Sequence, residues 1–165
     1  RLKYDEEVHM SRAVMEELVN RALNLSGMPS VALDEGGYAL VHVAGMAVNL
    51  EYDEIRERLY LYASLGKLPD SVPVALYEAV LEAGFMGAGT AGGHIGLHGP
   101  TRVLAYSLSL DAARLDEREM ANAFNLFVCR CAEWIGKVTE LLETPALLPG
   151  DSLFSGPMLG NIIWG

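Results

Sequence analysis

The sequence has few basic residues and no long apolar run, and each shortage excludes a class of binding partner or location. It contains 12 Lys and Arg against 22 Asp and Glu, which gives a formal net charge of −10. Because nucleic-acid binding depends on basic residues that neutralise phosphates, this balance argues against nucleic acid as a partner. The same negative charge disfavours binding to an anionic membrane surface. No run of about 18 apolar residues occurs, so we expect no membrane-spanning helix.

Cysteine is also scarce. Cys129 and Cys131 are the only two in 165 residues, which favours a reducing compartment. No basic stretch followed by an apolar one opens the chain, so the sequence predicts no secretory signal. The chain starts at Arg1, and His9-Met10 is typical of a cloning junction. We therefore expect residues 1–9 to be vector-derived or outside the fold, with a native N-terminal extension as the alternative.

Motifs for catalysis or metal binding are missing from the sequence. It has no G-x-S-x-G, no H-E-x-x-H and no G-x-x-x-x-G-K-[ST]. His94 and His98 share one face of a predicted strand, but a four-residue step separates them by ~13 Å, too far to share one metal ion. We expect no catalytic residues, no metal and no cofactor.

One stretch does match a nucleotide-binding motif by its letters. Residues 87–92 fit G-x-G-x-x-G, the dinucleotide fingerprint. That fingerprint requires a strand before the glycines and a helix after them, so that the helix N-terminus faces the pyrophosphate. Here a predicted helix ends at Gly84 and a predicted strand begins near His94. The reversed order favours a flexible helix-to-strand connection, or a strand that another backbone approaches closely.

The apolar periodicity predicts three helices and five strands. The first helix carries Val14, Leu18, Ala22 and Leu25 at helical spacing, with Met15 and Val19 widening this apolar stripe, and Ser11 is its predicted cap. Ser71 or Asp70 is the predicted cap of the second helix, and Asp116 with Glu119 predicts a capping box at the start of the third. Predicted helices cover residues 11–27, 71–84 and 116–143; predicted strands cover 38–43, 46–50, 58–65, 94–99 and 102–110. Residues 58–65, together with the four residues before them, can also be interpreted as helix. The sequence thus predicts a single α+β domain with a mostly antiparallel sheet, in the order α-β-β-β-α-β-β-α.

The last segment differs from the rest. Residues 144–165 contain three Pro, four Gly and no Lys or Arg, yet many apolar residues. We divide the chain into a domain at 10–143 and this tail at 144–165. One hypothesis is that the tail occupies a partner-binding groove, in its own or a neighbouring molecule. The alternative is an ordinary tail packed on the domain.

Several stretches carry a family resemblance. They are the N-terminal "MEELVNRALNLSGMPSVALDEGGYALVHVAGMAVNL", an "L-x-L-x-A-x-L-G-x-L-P" run, an "L-x-E-A-V-L-E-A" helix and a closing "FNLFVCRCAEWIGKV". In order, spacing and acidity the chain resembles the class I type III secretion chaperones, the Tir-chaperone-like family, over about residues 11–143.

The resemblance implies a cytoplasmic bacterial homodimer that uses no ATP and no metal. Such a protein binds the non-globular N-terminal region of an effector or translocator and keeps it secretion-competent. The partner-binding candidates that it implies are Leu18, Leu25, Val41, Val43, Val48 and Leu50. The dimer-interface candidates are Leu76, Val80, Leu81, Ile95 and Leu97. For each residue alone, the alternative is an ordinary core position.

Two rival functions stay open at this point. The first is a small-molecule-binding or enzymatic α+β domain that uses the Gly87–Gly99 loop. The second is a structural assembly subunit of the same fold, permanently bound to a folded partner.

Overall fold

The computed structural model describes residues 10–142, which form a five-stranded sheet and three α-helices. In chain order the elements are α1 (Arg12–Leu25), β1 (Tyr38–Val43), β2 (Met46–Asp53), β3 (Arg58–Lys67), α2 (Val74–Gly84), β4 (His94–His98), β5 (Val103–Asp111) and α3 (Glu117–Leu142). Short 3-10 turns follow α2 and β5. The predicted element order and the α+β class are confirmed. The predictions for residues 1–9 and 144–165 lie outside the described residues.

The sheet is antiparallel throughout, with strand order β1-β2-β3-β5-β4. Val41 pairs with Val48, Val48 with Ala63, and Ala63 with Tyr106, so these four side chains lie on the same face. Strands β1 and β4 form the two edges of this sheet. The helical interpretation of residues 58–65 is wrong, because β3 pairs with β2 on one side and β5 on the other.

The core lies between one face of the sheet and the helices, and we call this face the inner face. Leu50, Leu61 and Tyr106 project from it and are almost completely buried. They share one apolar cluster with Phe124 and Phe127 of α3. The alternation of strand residues and the helical repeat of α3 therefore meet in a single core.

Two of the three predicted helix starts are confirmed in detail. The Val14 amide donates to Ser11 Oγ at 3.4 Å, which caps α1. At α3, the Glu119 amide donates to Asp116 Oδ1 at 2.8 Å, and the Asp116 amide donates back to Glu119 Oε2 at 2.9 Å. This reciprocal pair is a capping box.

The predicted start of α2 is wrong. A cap at Ser71 or Asp70 was expected, but α2 begins at Val74 after Pro73, without a side-chain cap. Proline disfavours helical geometry in the residue before it, here Val72, so a helix start upstream of Pro73 is disfavoured. Pro73 itself is the N-cap residue, in a non-helical conformation.

The inward face of α1 also differs from the prediction. Met15, Val19, Ala22 and Leu23 face the core. Val14 and Leu25, the first and last members of the predicted stripe, are 45% and 58% exposed. The inward face is therefore narrower than the predicted stripe, and apolar side chains remain on the outer surface of the helix.

Candidate functional site

The glycine-rich segment joins a helix to a strand, as its sequence predicts. Helix α2 ends at Gly84, a 3-10 turn spans Phe85–Gly87, and β4 begins at His94. The turns in between contain no α-helix start. A dinucleotide pyrophosphate therefore has no α-helix N-terminus to bind in this segment.

Glycine is needed here for packing. A Cβ built on Gly89 would lie 2.7 Å from the Cβ and 2.8 Å from the Cα of Ala83 in α2. A Cβ on Gly93 would lie 2.5 to 2.6 Å from the ring atoms of Tyr106. Both glycines let the segment lie directly against its neighbours.

Hydrogen bonds fix the same segment to the core. Trp134 Nε1 donates to the Gly89 carbonyl at 3.1 Å. The Tyr106 hydroxyl donates to the Thr90 carbonyl at 2.6 Å, and its ring stacks on Phe127 with centroids 5.1 Å apart. Burial raises the pKa of Tyr106, so the phenol keeps the proton that this bond requires. The glycine segment is a packed connection and not an open phosphate loop.

A cleft of about 430 Å³ lies between the start of α1 and the β2–β3 turn. Its cations are engaged by neighbouring groups: Arg56 Nη1 bonds Asp53 Oδ2 at 2.7 Å, and Arg12 Nη1 bonds the Glu35 carbonyl at 2.6 Å. Burial acts to raise the pKa of Asp53, but the hydrogen bonds and charge of Arg56 outweigh it and lower that pKa. The described lining includes no His, Ser or Cys.

The histidines and cysteines remain separate from one another. His94 is exposed, and His98 Nδ1 lies 2.6 Å from Thr101 Oγ1. Cys131 is buried, and burial raises the pKa of its thiol to about 12, while Cys129 is exposed. Within residues 10–142 no group of three or more His, Cys, Asp or Glu is arranged to hold a metal ion. No helix among the described residues is both long and apolar enough to span a membrane.

Residues 10–142 expose apolar side chains on their surface, and one group of them lies along α1. A groove of about 220 Å³ is lined by Val14 and Leu18 of α1 together with Met10 and Leu115. Glu17 and Arg21, which form an exposed ion pair, complete the lining. We call this the α1 groove. Its apolar floor and charged rim suit an apolar side chain from a partner.

A second exposed stripe follows α2. Val74, Tyr77, Leu81 and Phe85 recur at steps of three, four and four, so they share one helical face. Val74, Leu81 and Phe85 are each at least 70% exposed. We call this the α2 stripe. A contiguous apolar stripe of this kind on a folded domain is typical of an interaction surface.

The six predicted partner-binding residues are divided between surface and core. Leu25 is exposed, and Leu18 and Val43 are half-buried. Val41, Val48 and Leu50 are buried on the inner face, where they pack in the core of the protomer. The α1 groove brings in Val14 and Leu115, which the sequence analysis did not select. The outward spacing of Val14, Leu18 and Leu25 on one helix is the signal that could have found this surface.

The five predicted dimer residues are divided in the same way. Leu76 is buried in the core, and Val80 and Ile95 are half-buried. Leu81 and Leu97 are exposed by 74% and 44%. Leu81 lies at the centre of the α2 stripe, whose other members the sequence analysis missed, although their spacing is visible in the sequence.

Comparisons with known proteins give the same fold. The structure is similar to the solved structure of the HopA1–SchA chaperone–effector complex, with 21% sequence identity and a TM-score of 0.61 over 81% of this chain and 98% of the other. It is also similar to the ExsC–ExsE complex, with 21% identity and a TM-score of 0.59 over 79% of this chain and 95% of the other. A third similar structure is the heterodimeric ExoU–SpcU complex from the type III secretion system of Pseudomonas aeruginosa, with 16% identity and a TM-score of 0.60 over 75% of this chain and 97% of the other. No curated protein has a significant sequence match. A sequence model of the Tir chaperone protein (CesT) family matches residues 17–134, and the chain therefore belongs to that family.

Proposed function

We propose that this protein is a type III secretion chaperone. It binds the non-globular N-terminal region of an effector or translocator and keeps that region competent for secretion. The observation that carries the proposal is the family match over residues 17–134. The named structural relatives support it, because one is a chaperone–effector complex and another comes from a type III secretion system.

The surfaces of the protomer suit an extended client. The α1 groove can accept apolar side chains, and the edge strand β1 has one side on which a further strand could add. Leu25 extends the apolar surface of α1 towards its C-terminal end. An extended segment loses conformational entropy when it binds, so it must contact a large surface to bind tightly. Groove and edge together provide such a surface.

The α2 stripe supports a homodimer. Leu81 and Phe85 expose 74% and 73% of their surface, which is costly in water unless another surface covers them. Leu97 of the edge strand β4 is also exposed, and α2 packs next to β4. We propose that two copies bury these faces against each other, leaving both α1 grooves accessible to a client.

The proposed protein performs no catalysis and works in the bacterial cytoplasm. A chaperone of this kind holds a segment and transforms nothing, so it needs neither a nucleophile nor a cofactor. The packed state of the glycine segment argues against the rival small-molecule site at Gly87–Gly99. A structural subunit bound to a folded partner remains the alternative, and it predicts a protected globular domain where the chaperone predicts a protected short segment.

The test is capture of the client by matched variants. Tagged wild-type protein should retain one or two larger proteins from the cytosol of the source cell. Leu18→Asp places a charge in the α1 groove, and the loss of about 1.5–3 kcal/mol of apolar burial should weaken capture by tenfold or more. Leu126→Asp is the control, because Leu126 is exposed on the outer side of α3. Since Leu18 is half-buried, circular dichroism and the urea midpoint must first show that Leu18→Asp keeps the wild-type fold. Equal capture by the two variants would remove the α1 groove from the proposal.

A further inference from the structure

The face of the sheet opposite the helices, here the outer face, is buried at its centre. Alternation places every second residue of β2, β3 and β5 on it. Asn49, Tyr62 and Val103 expose 0%, 7% and 2% of their surface. The other central members are Ala47, Glu51 and Ser64, which are buried, and Tyr60 and Ala105, which are half-buried. This burial is unexpected, because an antiparallel sheet with helices on one face commonly leaves the other to water.

The helices do not account for that burial. On the outer face Tyr62 and Val103 form a separate apolar cluster with Tyr60 and Ala105, and all four are strand residues. The helical residues that reach the core belong to the inner-face cluster, among them Val19, Leu76 and Phe127. These exposures are those of a single chain, so the cover of the outer face comes from a part of the same chain other than these helices.

Polar groups on the outer face are arranged for a dry environment. The Tyr38 hydroxyl donates to Asn49 Oδ1 at 2.9 Å, and Asn49 Nδ2 donates to the Tyr62 carbonyl at 3.0 Å. The Tyr62 hydroxyl donates to Glu51 Oε2 at 3.0 Å. Burying a polar group is costly unless it is hydrogen-bonded, and this chain of bonds removes much of that cost. The face can thus be covered by an apolar segment.

We propose that residues 144–165 of the same chain cover the outer face. This segment has ten apolar residues among 22, no Lys or Arg, and a single charged side chain, Asp151. Its composition matches an apolar, aromatic surface whose polar groups are already hydrogen-bonded. Leu153, Phe154, Ile162, Ile163 and Trp164 are the side chains that can pack against Tyr62 and Val103.

The segment is long enough to reach this face. It begins two residues after Leu142, the last residue of α3, and α3 packs on the inner face against the central strand β3. Passing through the ~10 Å thickness of the sheet layer and across half its width, another ~10 Å, takes about six extended residues at ~3.3 Å each. About 16 residues then remain to lie on the outer face.

The N-terminal segment is a poorer candidate. Five of residues 1–9 are charged, in contrast to the apolar face that needs a cover. The next residue, Met10, is held on the side of the helices, because its amide donates to Glu57 Oε1 at 2.9 Å and its carbonyl accepts from the Tyr52 hydroxyl. Tyr52 belongs to the inner-face cluster.

Photo-crosslinking of the full chain tests the occupant directly. A benzophenone amino acid replaces Tyr60, which is half-buried on the outer face, and in a matched control it replaces Tyr77 of the α2 stripe. We expect crosslinks within one chain from position 60 to residues 144–165, and none to that segment from position 77. Crosslinks from position 60 to residues 1–9 or to a second copy, or none to residues 144–165, would overturn the proposal.

A second measurement follows the uncovering of the face. In the full chain, I162D/I163D should raise hydroxyl-radical oxidation of Tyr62 towards the level of exposed Tyr77. Tyr106, on the inner face, should stay protected and shows that the fold is intact. Unchanged protection of Tyr62 would contradict the proposal. Both readouts use the protein alone, so their outcome is separate from whether the proposed client is found.

Discussion

The packing role of the glycine segment makes one quantitative prediction. Gly89 is the second glycine of the fingerprint, the position where a nucleotide-binding loop needs close approach to a pyrophosphate. In this protein the close neighbour is Ala83, with contacts of 2.7 and 2.8 Å for an added Cβ, where 3.4–4 Å is ordinary. One of these contacts is a backbone atom of α2, so relief requires the helix end or the segment to move.

The expected cost of Gly89→Ala follows from three contributions. Overpacking of a tight site costs about 1–3 kcal/mol. Weakening the bond from Trp134 Nε1 to the Gly89 carbonyl costs about 1 kcal/mol more. A less flexible unfolded chain returns about 0.4–1 kcal/mol. The free energy of unfolding should therefore fall by about 2 kcal/mol, which lowers Tm by about 4–8 °C for a chain of this size.

Gly96→Ala is the matched control for this prediction. Gly96 lies in β4 with no atom within 4 Å of its built Cβ and without a left-handed φ. Its substitution should change stability by less than about 0.5 kcal/mol. Urea unfolding at one fixed protein concentration measures both variants, since dimerisation would make stability depend on concentration. Equal stability of the two variants would refute the packing argument.

Three further predictions concern the interface, the core and the thiols. Leu81→Asp should weaken dimer association by about 2–4 kcal/mol and give monomers in sedimentation velocity, while Leu126→Asp leaves the dimer intact. A dimer that persists in Leu81→Asp would exclude the α2 stripe as the dimer interface. Leu50→Ala should lower the free energy of unfolding by about 2–5 kcal/mol, because Leu50 is buried in the core; a wild-type denaturation midpoint would contradict that placement. Burial raises the pKa of the Cys131 thiol to about 12, so this thiol stays protonated at pH 8. A maleimide should therefore modify only Cys129 in the native protein and both cysteines in denaturant. Equal rates of maleimide modification of the two thiols in native protein would contradict the buried position of Cys131.

The sequence predicted the order of the elements because their local signals agree with the tertiary structure. Ser11 and the Asp116–Glu119 pair are caps whose hydrogen bonds depend only on neighbours in sequence. Alternating residues in β5 were sufficient to predict a strand. The helical interpretation of β3 could be decided only by its pairing with two neighbouring strands.

The surfaces were harder to predict than the elements. Val14, Leu18 and Leu25 lie at helical spacing in one wide apolar stripe with Met15 and Val19, so periodicity alone does not separate core from surface. Only the packing of Met15 and Val19 against the core fixes which side faces inward. In the same way Val48 and Leu50 are indistinguishable in sequence from apolar strand residues that face a partner. An apolar surface kept for binding and an apolar core produce the same pattern.

The central claim is that the protein holds an extended segment of a client. The most direct measurement is limited proteolysis of the complex purified from the cytosol of the source cell, with the protected fragments identified by mass spectrometry. We expect one short protected fragment from the N-terminal region of a larger protein, bound to a dimer of this chain. A protected globular domain, or a retained nucleotide or metabolite with no protein bound, would contradict it.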